Sequence, residues 1–220
     1  MKLHIICTIV ISVALMTGCV RYTPKDLTNF RNHDPHSILV VPVVNKSVEV
    51  AAADYFLSTV SLPLGEKGYY VFPVNLVKRV LEDEGLSDAT LVHNASAKRL
   101  SDLFGSDSVL YVTIERWDSQ YLLISTTVTV EFSYLIKSGK TDEVLWSDRR
   151  RIVYQPQNSG GGHPIAMLIV AVVNAAVTKA SPNYIPLAKQ ANMQVFTYPG
   201  PGIPAGPYSE MYMKDMPVNR

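Results

Sequence analysis

Ser37-Ile38-Leu39-Val40-Val41-Pro42-Val43-Val44 is apolar almost without interruption, and five of its residues are β-branched. An amphipathic helix or a half-exposed strand would alternate apolar with polar positions. A short run that is apolar at both parities reads instead as a strand buried on both faces, at the centre of a sheet. Pro42 has no N–H to give, so it limits ladder pairing near that end.

Downstream of this strand the period is helical. Ala52, Tyr55, Phe56, Thr59 and Val60 recur at helix spacing over residues 51–62, and Pro63 is expected to end the helix. Gly68-Tyr69-Tyr70-Val71-Phe72-Pro73 reads as a second strand behind a turn glycine. Asn75 is placed to cap a helix whose apolar face is Leu76, Val77, Val80 and Leu81, with Gly85 as its C-cap. Residues 96–104 suggest another short helix, closed by Gly105.

The period then changes to two. Residues 109–114 form one strand. Over 127–136, Val128, Val130, Phe132, Tyr134 and Ile136 alternate with Thr127, Thr129, Glu131 and Ser133. That is the pattern of an antiparallel strand with one face on the core. Ser138-Gly139 marks a hairpin turn, and a return strand over 143–154 points Val144, Trp146, Ile152 and Tyr154 inward. Helices alternating with strands, followed by hairpins, predict one α/β domain with a mixed β-sheet packed by helices.

The N-terminus carries an address. Lys2 precedes an apolar run over residues 5–16, broken only by Cys7, Thr8 and Ser12. It is shorter than the roughly 20 residues a bilayer span needs, so it reads as a signal peptide. Met16-Thr17-Gly18-Cys19 resembles the lipobox of bacterial lipoproteins, with Met16 in place of the usual Leu. There the Cys19 thiol takes diacylglycerol, the peptidase recognises Met16, Thr17 and Gly18, and cleavage frees an amine for N-acylation. The bland alternative is an ordinary signal with a chance cysteine. Val20 instead of Asp after the cysteine favours the outer membrane of a Gram-negative host, facing the periplasm. The expected organisation is a signal peptide over 1–18, a lipidated tether over 19–36, the α/β domain over 37–198 and a Pro/Gly-rich tail over 199–220, read as extended and mobile.

Composition narrows the function. Of the 220 residues, 20 are Lys or Arg and 19 are Asp or Glu, and loss of Lys2 with the signal evens the count. A neutral chain argues against nucleic acid, which demands a basic surface. Both cysteines are consumed, Cys7 by cleavage and Cys19 by acylation, so no disulfide and no cysteine metal site is expected.

Four segments together resemble a family of bacterial lipoproteins of unknown function that includes a meningococcal vaccine antigen. They are Ile38-Leu39-Val40-Val41-Pro42, Leu57-Ser58-Thr59-Val60-Ser61-Leu62-Pro63-Leu64, Glu66-Lys67-Gly68-Tyr69-Tyr70-Val71-Phe72-Pro73-Val74 and Leu110-Tyr111-Val112-Thr113-Ile114-Glu115-Arg116-Trp117. The likeness spans residues 22–207, and the Gly-Tyr-Tyr-Val-Phe-Pro block is its most specific part. It implies a fold like the amino-terminal domain of the translocation protein TolB. It also implies a homodimer, and work beside a curli-secretion-channel-like lipoprotein in envelope export or assembly. The hairpin around Gly139 with Val144-Leu145-Trp146 is similar to that channel family as well. The family offers no catalytic residues to carry over.

Other candidates were weighed on their chemistry. Residues 165–177 hold a single polar residue, Asn174, and read as a helix apolar all round: a core helix, or an interface through Ile165, Leu168, Ile169, Val172 and Val173. Such a helix rises about 20 Å, short of the ~30 Å hydrocarbon core. Gly160-Gly161-Gly162 lacks the Lys and Ser/Thr of a phosphate loop and reads as a hinge. His33 and His36 stand three apart without further Cys or His support, so they and His93 and His163 read as surface histidines, with no metal expected. Glu115 and Asp118 bracket Trp117; paired carboxylates suit acid–base work, but more often cap a turn. Alternation puts Arg149 and Arg151 on one strand face and Arg150 on the other. The sum is a lipid-anchored, non-enzymatic accessory in envelope assembly, secretion or transport, without a cofactor beyond its acyl chains; the alternative is a small-ligand-binding lipoprotein.

Overall fold

The computed structural model describes residues 25–122, 125–154, 185–197 and 202–215. At its centre is β1 (Ser37–Val40), between the short edge strand β3 (Tyr70–Val71) and β4 (Ser108–Leu122), parallel to both. The line of β1 breaks at Pro42 and resumes as β2 (Val44–Asn45), also parallel to β4. Two antiparallel strands complete the sheet, β5 (Ser125–Ser138) against β4 and β6 (Val144–Tyr154) against β5. The order is β3-β1-β4-β5-β6, with β2 beside β4: a mixed sheet of six strands.

Because side chains of β1 alternate, its residues enter two cores. Ile38 and Val40 point into the larger one, beneath α1 (Thr28–His33), α2 (Ala52–Glu66) and α6 (Ile185–Thr197). Leu39 and Val41 point into the smaller one, beneath α3 (Val74–Asp83), α4 (Ala89–Asn94) and α5 (Ala97–Phe104). The strand read as buried on both faces is central, with helices on each side.

Local chemistry sets the helix ends. The Ser96 hydroxyl accepts the Arg99 amide at 3.2 Å, and the Asp142 carboxylate accepts the Ala97 amide at 2.7 Å, so α5 is capped from within and from the β5–β6 turn. Gly105, at φ +72°, closes it as expected. α4 is an element the periodicity missed; Asp88 caps it by accepting the Thr90 and Leu91 amides. α3 starts two residues earlier than read: Pro73, not Asn75, precedes it, and only Val77 and Leu81 of its apolar residues are buried.

Several expectations need correction. Pro63 does not end α2, which runs on to Glu66. Proline removes one backbone bond, but Pro63 and Leu64 are buried against the larger core, and that burial outweighs the loss. Val144 is exposed, not inward. The register shifts between Ile136 and Lys137, so Leu145 is an extra residue that takes the buried place beside Trp146. The tether is shorter than 19–36: Phe30 is buried in the larger core and α1 lies against β6. Nor is the segment over 202–215 a free tail. Ile203 and Ala205 are buried, the Gly206 amide bonds the Lys67 carbonyl, and the Tyr208 amide bonds the Gly68 carbonyl. The two backbones touch because both crossing residues are glycine; a Cβ on Gly206 would lie 2.3 Å from the Gly68 oxygen.

Candidate functional site

Beyond Ile114, β4 and β5 run on together as the arm of a long antiparallel hairpin. One face is dry. Trp117, Val128, Val130 and Phe132 are buried there, with Phe132 5.3 Å from Phe56 and 5.9 Å from Trp117, ring centre to ring centre. The reverse face is polar. At Glu115 the β4 strand bulges, so that Ile114 pairs with Phe132 while Arg116 pairs with Glu131. The bulge brings Glu115 beside Ser133, whose hydroxyl donates to its Oε1 at 3.1 Å, and beside Lys46, whose Nζ lies 3.2 Å from Oε2. Arg149 Nε meets Glu131 Oε1 at 2.7 Å, and Arg116 meets Asp118 at 2.7 Å.

This face is self-neutralising. Partial burial works against ionisation of Glu115, but the hydrogen bonds from Lys46 and Ser133 and the charges of Lys46 and Arg149 outweigh it and hold the carboxyl below its ordinary range. Glu115 and Asp118 therefore do not act as a pair. Each is a carboxylate with its own cation, inside a strand and not at a turn. Arg150 turns to the opposite side, to Asp148 at 2.9 Å, while Arg149 and Arg151 stand on the open face as the alternation requires. The described residues of this face carry fixed charges and hydroxyls. At the outer edge of the sheet, Lys25 Nζ and Asn29 Nδ2 donate to the Ser147 and Val144 carbonyls of β6.

The opposite end of the sheet carries a clasp. Residues 202–215 fold over α1 and the Gly68 turn: the Tyr69 hydroxyl donates to the Pro204 carbonyl at 2.8 Å, the Tyr212 hydroxyl to Asp34 at 2.7 Å, and the Ala205 amide to Asp215 at 2.6 Å. Lys67 and Arg31 approach Asp215 at 3.8 and 4.0 Å. Burial, then the negative charges of Asp215 and Asp34, push the Tyr69 phenol far up, so it serves as a neutral donor. The cavity between Phe30, Arg31, Tyr69 and Tyr212 measures about 10 Å³, room for one water and no organic ligand.

The described histidines do not converge. His33 Nε2 faces Glu143 at 3.1 Å, and His36 Nε2 faces Asp34 at 3.4 Å. His93 is not a plain surface residue: it is half-buried, edge-on to Tyr111, and donates from Nε2 to the Pro42 carbonyl at 3.0 Å. Among the described residues no three His, Cys, Asp or Glu side chains are grouped to hold a metal ion. Cys19 with Met16, Thr17 and Gly18, the glycines before His163, and the apolar set Ile165, Leu168, Ile169, Val172 and Val173 lie outside the described residues. Sequence reasoning missed the clasp. Its signal was available in Tyr208, Met211, Tyr212 and Met213, since aromatic and apolar residues at that density are foreign to disordered tails.

The profile of the family described as putative lipoprotein GNA1162-like matches residues 25–208. The chain belongs to the GNA1162-like lipoprotein family. A member from Neisseria meningitidis serogroup B, putative lipoprotein NMB1124/NMB1162, is 31% identical over 199 residues, covering 89% of this chain and 92% of the relative. The crystal structure of lipoprotein GNA1162 from Neisseria meningitidis aligns with a TM-score of 0.55 at 32% identity, over 66% of this chain and all of that one. The GNA1162-like family is the one that the Gly-Tyr-Tyr-Val-Phe-Pro block and its companion segments resemble. No helix of the described residues is long and apolar enough to cross a membrane.

Proposed function

We propose that this GNA1162-like protein is a lipid-anchored, non-enzymatic docking component of the bacterial envelope. Acyl chains on Cys19 hold it at the outer membrane, on the periplasmic side, and the open face of its arm meets another protein of an assembly or secretion system. The observation that carries the reading is the arm itself. β4 and β5 are 15 and 14 residues long, longer than most strands, and their open face is a lattice of satisfied ion pairs. Charges held in fixed positions and already neutralised suit recognition by a complementary surface better than bond-making. A partner of the curli-secretion-channel type and a second copy of this chain are the two occupants that the family resemblance favours.

A photo-crosslinking residue in place of Arg151, on the open face, tests this in living cells, with Cys19→Ala as the unanchored control. Capture of one envelope protein by the acylated form, lost in the control, is the expected result. Capture of this chain alone would make the arm a self-association surface. No adduct from any open-face position would remove the docking role.

A further inference from the structure

Lys25, the first described residue, is fastened in place: its Nζ bonds the Ser147 carbonyl and the Asp148 carboxylate and stands 4.6 Å over the Trp146 ring. Cys19 lies only six residues earlier. Six extended residues reach about 21 Å at most. A domain of this length has a radius of gyration of about 16 Å. So short a leash keeps the surface around Lys25 within about 21 Å of the bilayer, close enough for a neighbouring face to touch it.

Near that leash Val144 is exposed singly on β6, and a cluster of exposed apolar residues lies on the clasp. α1 leads directly from the Lys25 end, and the clasp is pinned to it through Tyr212 on Asp34 and Asp215 facing Arg31. On its outer side Tyr208 is 71% exposed, Met211 53% and Met213 50%. The exposed Lys214 lies beside them. Other exposed apolar residues sit elsewhere: Val48 and Val50 follow β2, at the far end of the strands, and Leu76 and Val80 lie on α3, across the sheet. Tyrosine with its ring in apolar surroundings and its hydroxyl wet, flexible methionines, and a lysine that can reach outward are the side chains that the headgroup layer accepts.

We propose that residues 207–214 are a second, non-covalent membrane contact, with Tyr208, Met211 and Met213 entering the headgroup layer of the bilayer that holds the acyl chains. The proposal rests on acylation of Cys19. It gives the clasp a purpose beyond packing, because a lipid alone would let the domain roll on the surface, and a second contact fixes which end faces away. The turn at Gly139 and the starts of β1 and β4 share the clasp end, so β4, 15 residues from Ser108 to Leu122, runs away from it over roughly 45 Å.

The mature chain has no thiol other than the acylated Cys19, so single cysteines at Met211, Met213, Val50 and Leu76 can each take one bimane label on the full-length lipidated protein. The proteins are placed on phosphatidylethanolamine–phosphatidylglycerol vesicles containing a doxyl-labelled lipid, and the mass of each mature chain is measured first. The expected result is quenching severalfold stronger at Met211→Cys and Met213→Cys than at Val50→Cys and Leu76→Cys. Equal, weak quenching at all four positions on an acylated protein would overturn the membrane contact and leave the anchor standing. A chain without acyl mass would overturn the anchor, and this proposal with it.

Discussion

Asn192 is fully buried on α6, yet its amide is fully used: Oδ1 accepts from the Tyr134 hydroxyl at 3.2 Å and Nδ2 donates to Thr59 Oγ1 at 3.0 Å. Thr59 passes its own proton to the Phe56 carbonyl, so one chain of bonds ties the sheet, α6 and α2. Asn192→Ala strands the Tyr134 hydroxyl in the core and is expected to cost about 2–3 kcal/mol in urea unfolding. Added to Tyr134→Phe it should cost much less than the sum of the two, because the same bond is lost twice. His93 titrates against the fold. Burial lowers its pKa, opposed by the bond to the Pro42 carbonyl, so in the window below about 6.5 the unfolded chain binds the proton first. Stability therefore falls as pH drops through that window, and His93→Gln should flatten the slope of urea midpoint against pH between 7.5 and 5.5. Of these residues, the sequence announces Tyr134 by its place in the alternation. Asn192 sits in a stretch without a clear period, and nothing local marks it; its partners are 58 and 133 residues away.

Short elements are defined at their ends, and the ends are where reading was good or poor. α5 was legible because Ser96 and Gly105 bracket it and each does what its chemistry allows. The second cap, from Asp142, was not, since it arrives from the β5–β6 turn with a φ of +66° that few side chains tolerate. Ser96→Ala should therefore cost about 1 kcal/mol, and Ser96→Ala with Asp142→Ala more than either alone, in thermal unfolding followed by circular dichroism. α4 spans only 6 residues, too few to establish a period. Pro63 misled because local propensity was set against burial that depends on the whole fold. Val144 misled for a related reason: alternation predicts a face only while the register is unbroken, and the bulge at Leu145 breaks it. The arm was half legible. Its alternating strand was read over 127–136, but its length comes from pairing with β4, whose outer half looks polar and irregular around the bulge at Glu115.

At the scale of the molecule, both ends of the chain were misjudged in the same direction. Polarity and proline made 19–36 look like a tether and 199–220 like a tail, yet Phe30 reaches the larger core and 202–215 closes over it. A few apolar residues in a polar stretch are enough to dock it when a complementary surface exists, and that surface is not visible in the stretch itself. Lys25, the first position of the family match, is already bonded to β6, with only five residues between it and Cys19. Membrane attachment depends most on that cysteine. Intact-mass measurement of the protein extracted from membranes tests it directly. The predicted mass is that of residues 19–220 plus one diacylglycerol and one amide-linked acyl chain, and Cys19→Ala should abolish both the added mass and membrane retention. A mature chain that starts elsewhere, or that carries Cys19 as a free thiol, would contradict the account.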